Sequence, residues 1–169
     1  MAVIRGFSEH TDTERAALGF ADSVDQPNPA LVVFFCSPSM DREVIGRILS
    51  ARFRDCAALV GCTTAGEITP DGYREGTITG ASFSADQFHV VTKLIPGLDN
   101  FAIGDVRAGA EAALESLREK LGPEFDPNRT FAMLLTDGLT RQEEAVVSTV
   151  DSVLGAVPMF GGSAGDGLD

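Results

Sequence analysis

The chain has 169 residues, 44% of them hydrophobic and 22% charged, with 25 Asp and Glu against 13 Lys and Arg and a net charge of −12. That mixture is enough for one domain with a real core and excludes a disordered chain. It also excludes a nucleic-acid partner, because phosphate-backbone binding needs clustered cations and the nearest pair here, Arg52 and Arg54, is flanked by Asp55.

Strand and helix patterns alternate along the chain. Residues 2–7 form a weak first strand. Thr11 stands three residues before Glu14, the spacing of a capping box, and Ala17, Phe20, Ala21 and Val24 follow at helical spacing. Residues 30–36 include the apolar run Leu31-Val32-Val33-Phe34-Phe35, which suits a strand covered on both faces. Ser37-Pro38-Ser39 then opens a helix whose buried stripe is Val44, Ile45, Ile48, Leu49 and Phe53. Residues 57–61 form a second apolar strand that runs into Cys62-Thr63-Thr64-Ala65-Gly66-Glu67.

Residues 77–84 and 87–94 alternate around Ala85-Asp86, predicting a β-hairpin. Val106, Ala110, Ala113, Leu114, Leu117 and Leu121 line one side of a helix that Gly122-Pro123 stops. Residues 131–135 are a third apolar strand, leading into Thr136-Asp137-Gly138. Thr140 and Glu143 form another capping box, and Val146, Val150, Val153 and Leu154 give the helix behind it a buried face. Residues 157–160 are a last strand, ending in Gly161-Gly162-Ser163-Ala164-Gly165-Asp166.

The order strand, polar turn, helix, strand, Gly-rich turn occurs twice. At constant spacing Phe35 falls on Leu135 and Gly61 on Gly161. The expected fold is therefore α/β: a mixed sheet from two βαβ-type repeats, a β-hairpin after the first, and helices packed on the sheet. The second repeat is truncated before its own hairpin, so the expectation for residues 1–169 is a single domain, incomplete at its C-terminus.

Chemistry concentrates at the two Gly-rich turns. Ligands of open α/β sheets bind beyond the carboxyl ends of the strands, and glycine lets backbone amides come close or form an anion-binding nest. The candidate ligand-binding residues are Ser37, Gly61, Cys62, Thr63, Thr64, Gly66 and Glu67 from the first copy. Asp137, Gly161, Gly162, Ser163, Gly165 and Asp166 come from the second. The two corners are expected to converge on one rim. The alternative for each residue is a turn glycine or a hydroxyl capping a stray amide. No phosphate-binding loop is present, and the last Gly-rich turn lacks a following helix.

Cys36, Cys56 and Cys62 are an odd set without the paired spacing of a zinc site. No secretory leader is visible, and no apolar run nears the roughly 20 residues of a membrane span. A reducing cytoplasm and no membrane partner are the expectation. Cys62 as a catalytic thiol would need an activating base, and only His10 and His89 could serve. The same two histidines, with the cysteines, are the only axial-ligand candidates for haem.

The segments Leu31-Val32-Val33-Phe34-Phe35-Cys36-Ser37, Leu59-Val60-Gly61-Cys62-Thr63-Thr64-Ala65-Gly66-Glu67-Ile68, Thr136-Asp137-Gly138-Leu139 and Phe160-Gly161-Gly162-Ser163-Ala164-Gly165-Asp166 occur here in a set order. Together they resemble the recurring motifs of FIST (F-box and intracellular signal transduction) N-terminal domains, over nearly the whole chain. The resemblance implies a non-catalytic, small-ligand-sensing input domain of bacterial signalling proteins. It implies as partners a small ligand such as an amino acid, and a kinase, chemoreceptor or cyclic-dinucleotide output module or a FIST C-terminal domain. A haem-binding, nitric-oxide-sensing branch of the family makes haem the alternative, and a thiol-dependent enzyme using Cys62 is the third reading.

Overall fold

The fold is that of a computed structural model, which describes residues 2–98, 102–138 and 142–165. Among them, eight strands and four α-helices fall into two compact units, Met1–Val90 and Val91–Gly165. No helix among the described residues is long and apolar enough to cross a membrane.

In chain order the first unit runs β1 (Val3–Ser8), α1 (Thr13–Ser23), β2 (Pro29–Cys36), α2 (Arg42–Arg52), β3 (Ala58–Thr63), β4 (Glu67–Thr69), β5 (Gly72–Arg74) and β6 (Ile78–Ser84). Four of these strands make a mixed sheet in the order β1, β6, β2, β3. β2 carries the longest apolar run and takes a neighbour on each edge, β3 in parallel and β6 antiparallel. A parallel pair needs a crossover, and α2 supplies it.

Side chains alternate across the sheet, so each strand offers two faces. Val32, Phe34, Cys36, Leu59 and Ile78 point to one of them. Against them pack Ala17, Phe20, Ala21 and Val24 from α1, with Ile45, Ile48, Leu49 and Phe53 from α2 and its end. Both helices of the unit thus cover the same face. The other face, with Val33, Phe35, Thr79 and Ala81, has no helix of this unit over it.

Helix starts differ from the sequence expectation by a residue or more. Asp12 caps α1, its Oδ1 accepting the Arg15 amide at 2.9 Å, so the cap is one residue after Thr11. Asp41 caps α2, accepting the amides of Glu43 (2.9 Å) and Val44 (3.1 Å), and Ser37-Pro38-Ser39 precedes the helix as a turn. In both places a carboxylate, the stronger acceptor for an amide, takes the position.

The hairpin expected over residues 77–94 does not form. β6 is a strand, but β1 and β2 occupy both of its edges, and residues 87–97 carry no strand. A shorter hairpin lies earlier, where β4 pairs with β5. The Gly-rich segments also continue their strands instead of turning. β3 extends to Thr63 because Cys36 pairs with it, and the ladder there uses main-chain groups that Gly61 and Cys62 supply as well as any residue.

The second unit contains α3 (Ile103–Leu121), β7 (Ala132–Asp137), α4 (Glu143–Leu154) and β8 (Met159–Ala164). α3 ends at Gly122, whose φ of 53° is left-handed and open to glycine at little cost. Val106, Ala110, Val146 and Val150 form its core, with Leu134 and Met159 from the strands packed against them. Thr140 of the expected capping box lies outside the described residues; Gln142 is the N-cap and makes no side-chain cap bond. β8 pairs in parallel with β7 through Gly161, Gly162, Ser163 and Ala164, so these too are strand residues. Leu134 stands opposite Gly161 as Phe34 stands opposite Gly61, the same offset at both positions.

The burial pattern sets an expectation for stability. Leu49, 0% exposed at the contact of α2 with the sheet, should cost about 3 kcal/mol when cut to Ala. Leu18→Ala, on the solvent side of α1, should stay within about 0.5 kcal/mol. Urea unfolding of the two variants beside the parent measures the contrast.

Candidate functional site

The carboxyl ends of β2 and β3 are knit by main-chain bonds before any side chain takes part. The Thr64 amide donates to the Cys36 carbonyl, and the Ser37 amide to the Thr77 carbonyl, both at 3.0 Å. Ser37 is 8% exposed and its Oγ lies 2.9 Å from Ser39 Oγ, so its hydroxyl belongs to the lead-in of α2.

Glu67 organises this rim. It begins β4 and is 1% exposed, an extreme degree of burial for an acidic residue. Its Oε1 accepts the Thr64 hydroxyl at 2.8 Å. Its Oε2 accepts the Thr77 hydroxyl at 2.7 Å and the Thr77 amide at 3.2 Å. The side chain therefore ties the end of β3, the start of the hairpin and the start of β6 together. Hydrogen bonds offset the desolvation that such burial costs.

Around it the glycines serve close packing. The Phe34 ring lies over Gly61, and the Tyr73 phenol lies against Gly66, in each case where a Cβ would stand. Tyr73 Oη is 3.2 Å from Glu75 Oε1 and 3.3 Å from the Ala65 carbonyl, one proton serving two acceptors. Desolvation, then the charge and hydrogen bond of Glu75 and the charge of Glu67, push the phenol pKa above its usual 10.0. None of Gly61, Gly66, Gly161, Gly162 or Gly165 has a positive φ, so the alternating-handed backbone of an anion nest is not formed at any of them.

A groove of about 480 Å³ opens on the helix-free face of the first sheet. Val33, Phe35 and Ala81 are its apolar floor, Arg5 and Thr79 stand on the strands beside them, and the segment with Thr64, Gly66, Glu67, Ile68, Thr69 and Pro70 closes one end. The Thr79 hydroxyl donates to the Ile68 carbonyl at 3.3 Å and so fastens the hairpin to β6. Its volume falls within the range of small-molecule sites, roughly 300–1,000 Å³. A second hollow, of about 550 Å³, follows α3 and α4 and is lined by Arg107, Glu111, Glu115 and Arg118, a charged helix flank.

Of the residues expected from sequence, Thr64, Gly66 and Glu67 meet at the groove. Ser37, Gly61, Cys62 and Thr63 lie on the adjoining strand ends and are not part of its lining. Asp137, Gly161, Gly162, Ser163 and Gly165 belong to the second unit, where Asp137 pairs with Ala164 at the end of β7. Gly161 packs against the Leu134 carbonyl, and open space adjoins Gly162 and Gly165. Asp166 lies outside the described residues. Arg5, Phe35, Thr79 and Ala81 were not expected: each is an ordinary strand residue in its own segment, and only the pairing register brings them to one place.

The histidines do not fit haem. His10 and His89 are both exposed and neither lines the groove, whereas an axial nitrogen needs an enclosed apolar slot. The three cysteine thiols are unbridged. Among the described residues, no group of three or more His, Cys, Asp or Glu could hold a metal ion.

Residues 30–169 match the FIST N domain family. No curated protein matches the chain.

Two outcomes check this geometry. Glu67→Ala should cost about 3 kcal/mol, because it strands the buried Thr77 amide and two hydroxyls, and thermal unfolding reads that loss. Tyr73 is the only tyrosine and there is no tryptophan, so an ultraviolet pH titration reports it alone. Its midpoint should lie above 10.0 in the folded protein and fall when Glu75 is replaced by Gln.

Proposed function

Since the chain belongs to the FIST N domain family, we propose that it is the sensing part of a signalling protein and holds a small molecule in the groove beside Phe35. FIST N domains are signalling domains generally considered non-catalytic. One observation carries the proposal: an open, apolar-floored groove at the carboxyl ends of β2 and β3, rimmed by Thr64 and Gly66 and closed by the β4–β5 hairpin.

The same elements suggest how occupancy becomes a signal. A ligand shifts an equilibrium only through unequal affinity for two states. The hairpin is short, and its residues Ile68 and Tyr73 are 80% and 58% exposed. It is tied inward through Glu67 to Thr64 and Thr77, and Thr77 in turn holds Ser37 at the lead-in of α2. A ligand that favours one position of the hairpin therefore biases the start of α2. An output module, of kinase, chemoreceptor or cyclic-dinucleotide type, or a FIST C-terminal domain, would read that bias. The shared offset of the β2–β3 and β7–β8 pairs supports reading the two βαβ units as copies of one.

Amide-resolved NMR titration with pooled small metabolites tests the proposal. Shifts should concentrate at Thr64, Gly66, Thr79 and Ala81, and Ala81→Trp, which fills the groove, should abolish them while the circular dichroism spectrum persists. Shifts confined to other surfaces would refute it.

A further inference from the structure

Resting on the groove just described, we infer that its ligand is a small monocarboxylate with an apolar body, anchored by Arg5. Acids outnumber bases by 25 to 13 in this chain, and two of the arginines hold carboxylates near the first sheet. Arg52 takes Asp22 and Asp25, and Arg74 takes Glu9. Arg5 lines the groove, and its side chain makes no ion pair or hydrogen bond among the described residues. A guanidinium offers a fork of donors that matches a carboxylate two bonds at a time.

The rest of the lining decides what accompanies that carboxylate. Val33, Phe35, Ala81, Ile68 and Pro70 give hydrocarbon contact next to Arg5. The hydroxyl protons of Thr64 and Thr79 are already donated, to Glu67 and to the Ile68 carbonyl, which leaves their oxygens as weak acceptors. Among the described residues, no free carboxylate of the groove stands ready for a ligand ammonium. Glu67 is 1% exposed with both oxygens engaged, Glu9 is held by Arg74, Glu75 lies at Tyr73, and Asp71 is not in the lining. One cation, an apolar floor and no accessible anion select a hydrocarbon monocarboxylate over a zwitterion such as an α-amino acid, whose ammonium would sit near Arg5 with nothing to neutralise it.

Three probe pairs test the inference on the whole chain, by amide shifts and calorimetry: hexanoate against hexanol, phenylacetate against phenylethanol, and phenylacetate against phenylalanine. The acids should shift the amides of Thr64, Gly66, Thr79 and Ala81 and bind at least about tenfold tighter than the alcohols, in line with a charge-assisted pair. Arg5→Gln should remove that preference, so that the acids bind no tighter than the matching alcohols. Arg5→Lys should keep part of it, which separates charge from folding, since Arg5 is exposed on the edge strand β1. Equal binding of acids and alcohols, or of phenylacetate and phenylalanine, overturns the ligand class while the groove stands as a binding site. Silence of the groove amides to every probe overturns the class and the groove together.

Discussion

The hydrogen bonds that close on Glu67 hold the strand-end rim of the first unit in one shape. Three segments, distant along the chain or turned sharply back, meet at its two oxygens: the end of β3, the start of the β4–β5 hairpin and the start of β6. An acidic side chain that is 1% exposed is costly unless its acceptors are filled, and Thr64 and Thr77 fill them. Because the donors include a main-chain amide, the arrangement fixes backbone as well as side chains. The groove wall, the attachment of the hairpin and the lead-in of α2 all follow from that one cluster.

The second determining feature is the asymmetry of the sheet. Both helices of the first unit pack on the face of Val32, Phe34, Cys36 and Ile78. The opposite face keeps Val33, Phe35 and Ala81 without a helix of the unit over them, and the hairpin spans only one end of it. Val33 is buried there at 6% exposure, while Phe35 and Ala81 are half-buried and line the groove with Arg5 and Thr79. Gly61 and Gly66 contribute by absence, giving room to the Phe34 ring and the Tyr73 phenol. Neither supplies an anion-binding turn, because neither has left-handed backbone.

Much of the fold was legible from periodicity. The apolar run at Leu31–Phe35 announced a strand, although one covered on both faces was expected and the helices of its unit cover only one, and the stripes Ile45, Leu49, Phe53 and Val106, Ala110, Leu114 announced helices that bury those residues. Errors clustered where pairing, not local pattern, decides. Residues 87–94 alternate like a strand but find no free edge, since β1 and β2 already occupy β6. Gly161 and Gly162 read as a turn but lie in β8, because a parallel ladder bonds main chain and is indifferent to missing side chains.

The sequence by itself determined the alternation of elements, the family and the three groove residues that lie in one short stretch, Thr64, Gly66 and Glu67, because those are properties of local order and spacing. Tertiary structure alone decided that Arg5, Val33, Phe35, Thr79 and Ala81 share a surface and that both oxygens of Glu67 are engaged by Thr64 and Thr77. Their meeting depends on the antiparallel register that sets Arg5 opposite Ala81 and Phe35 opposite Thr79. A shift of one residue would send each of them to the other face. Register is a relation between segments far apart in the chain, and no stretch of residues carries it alone.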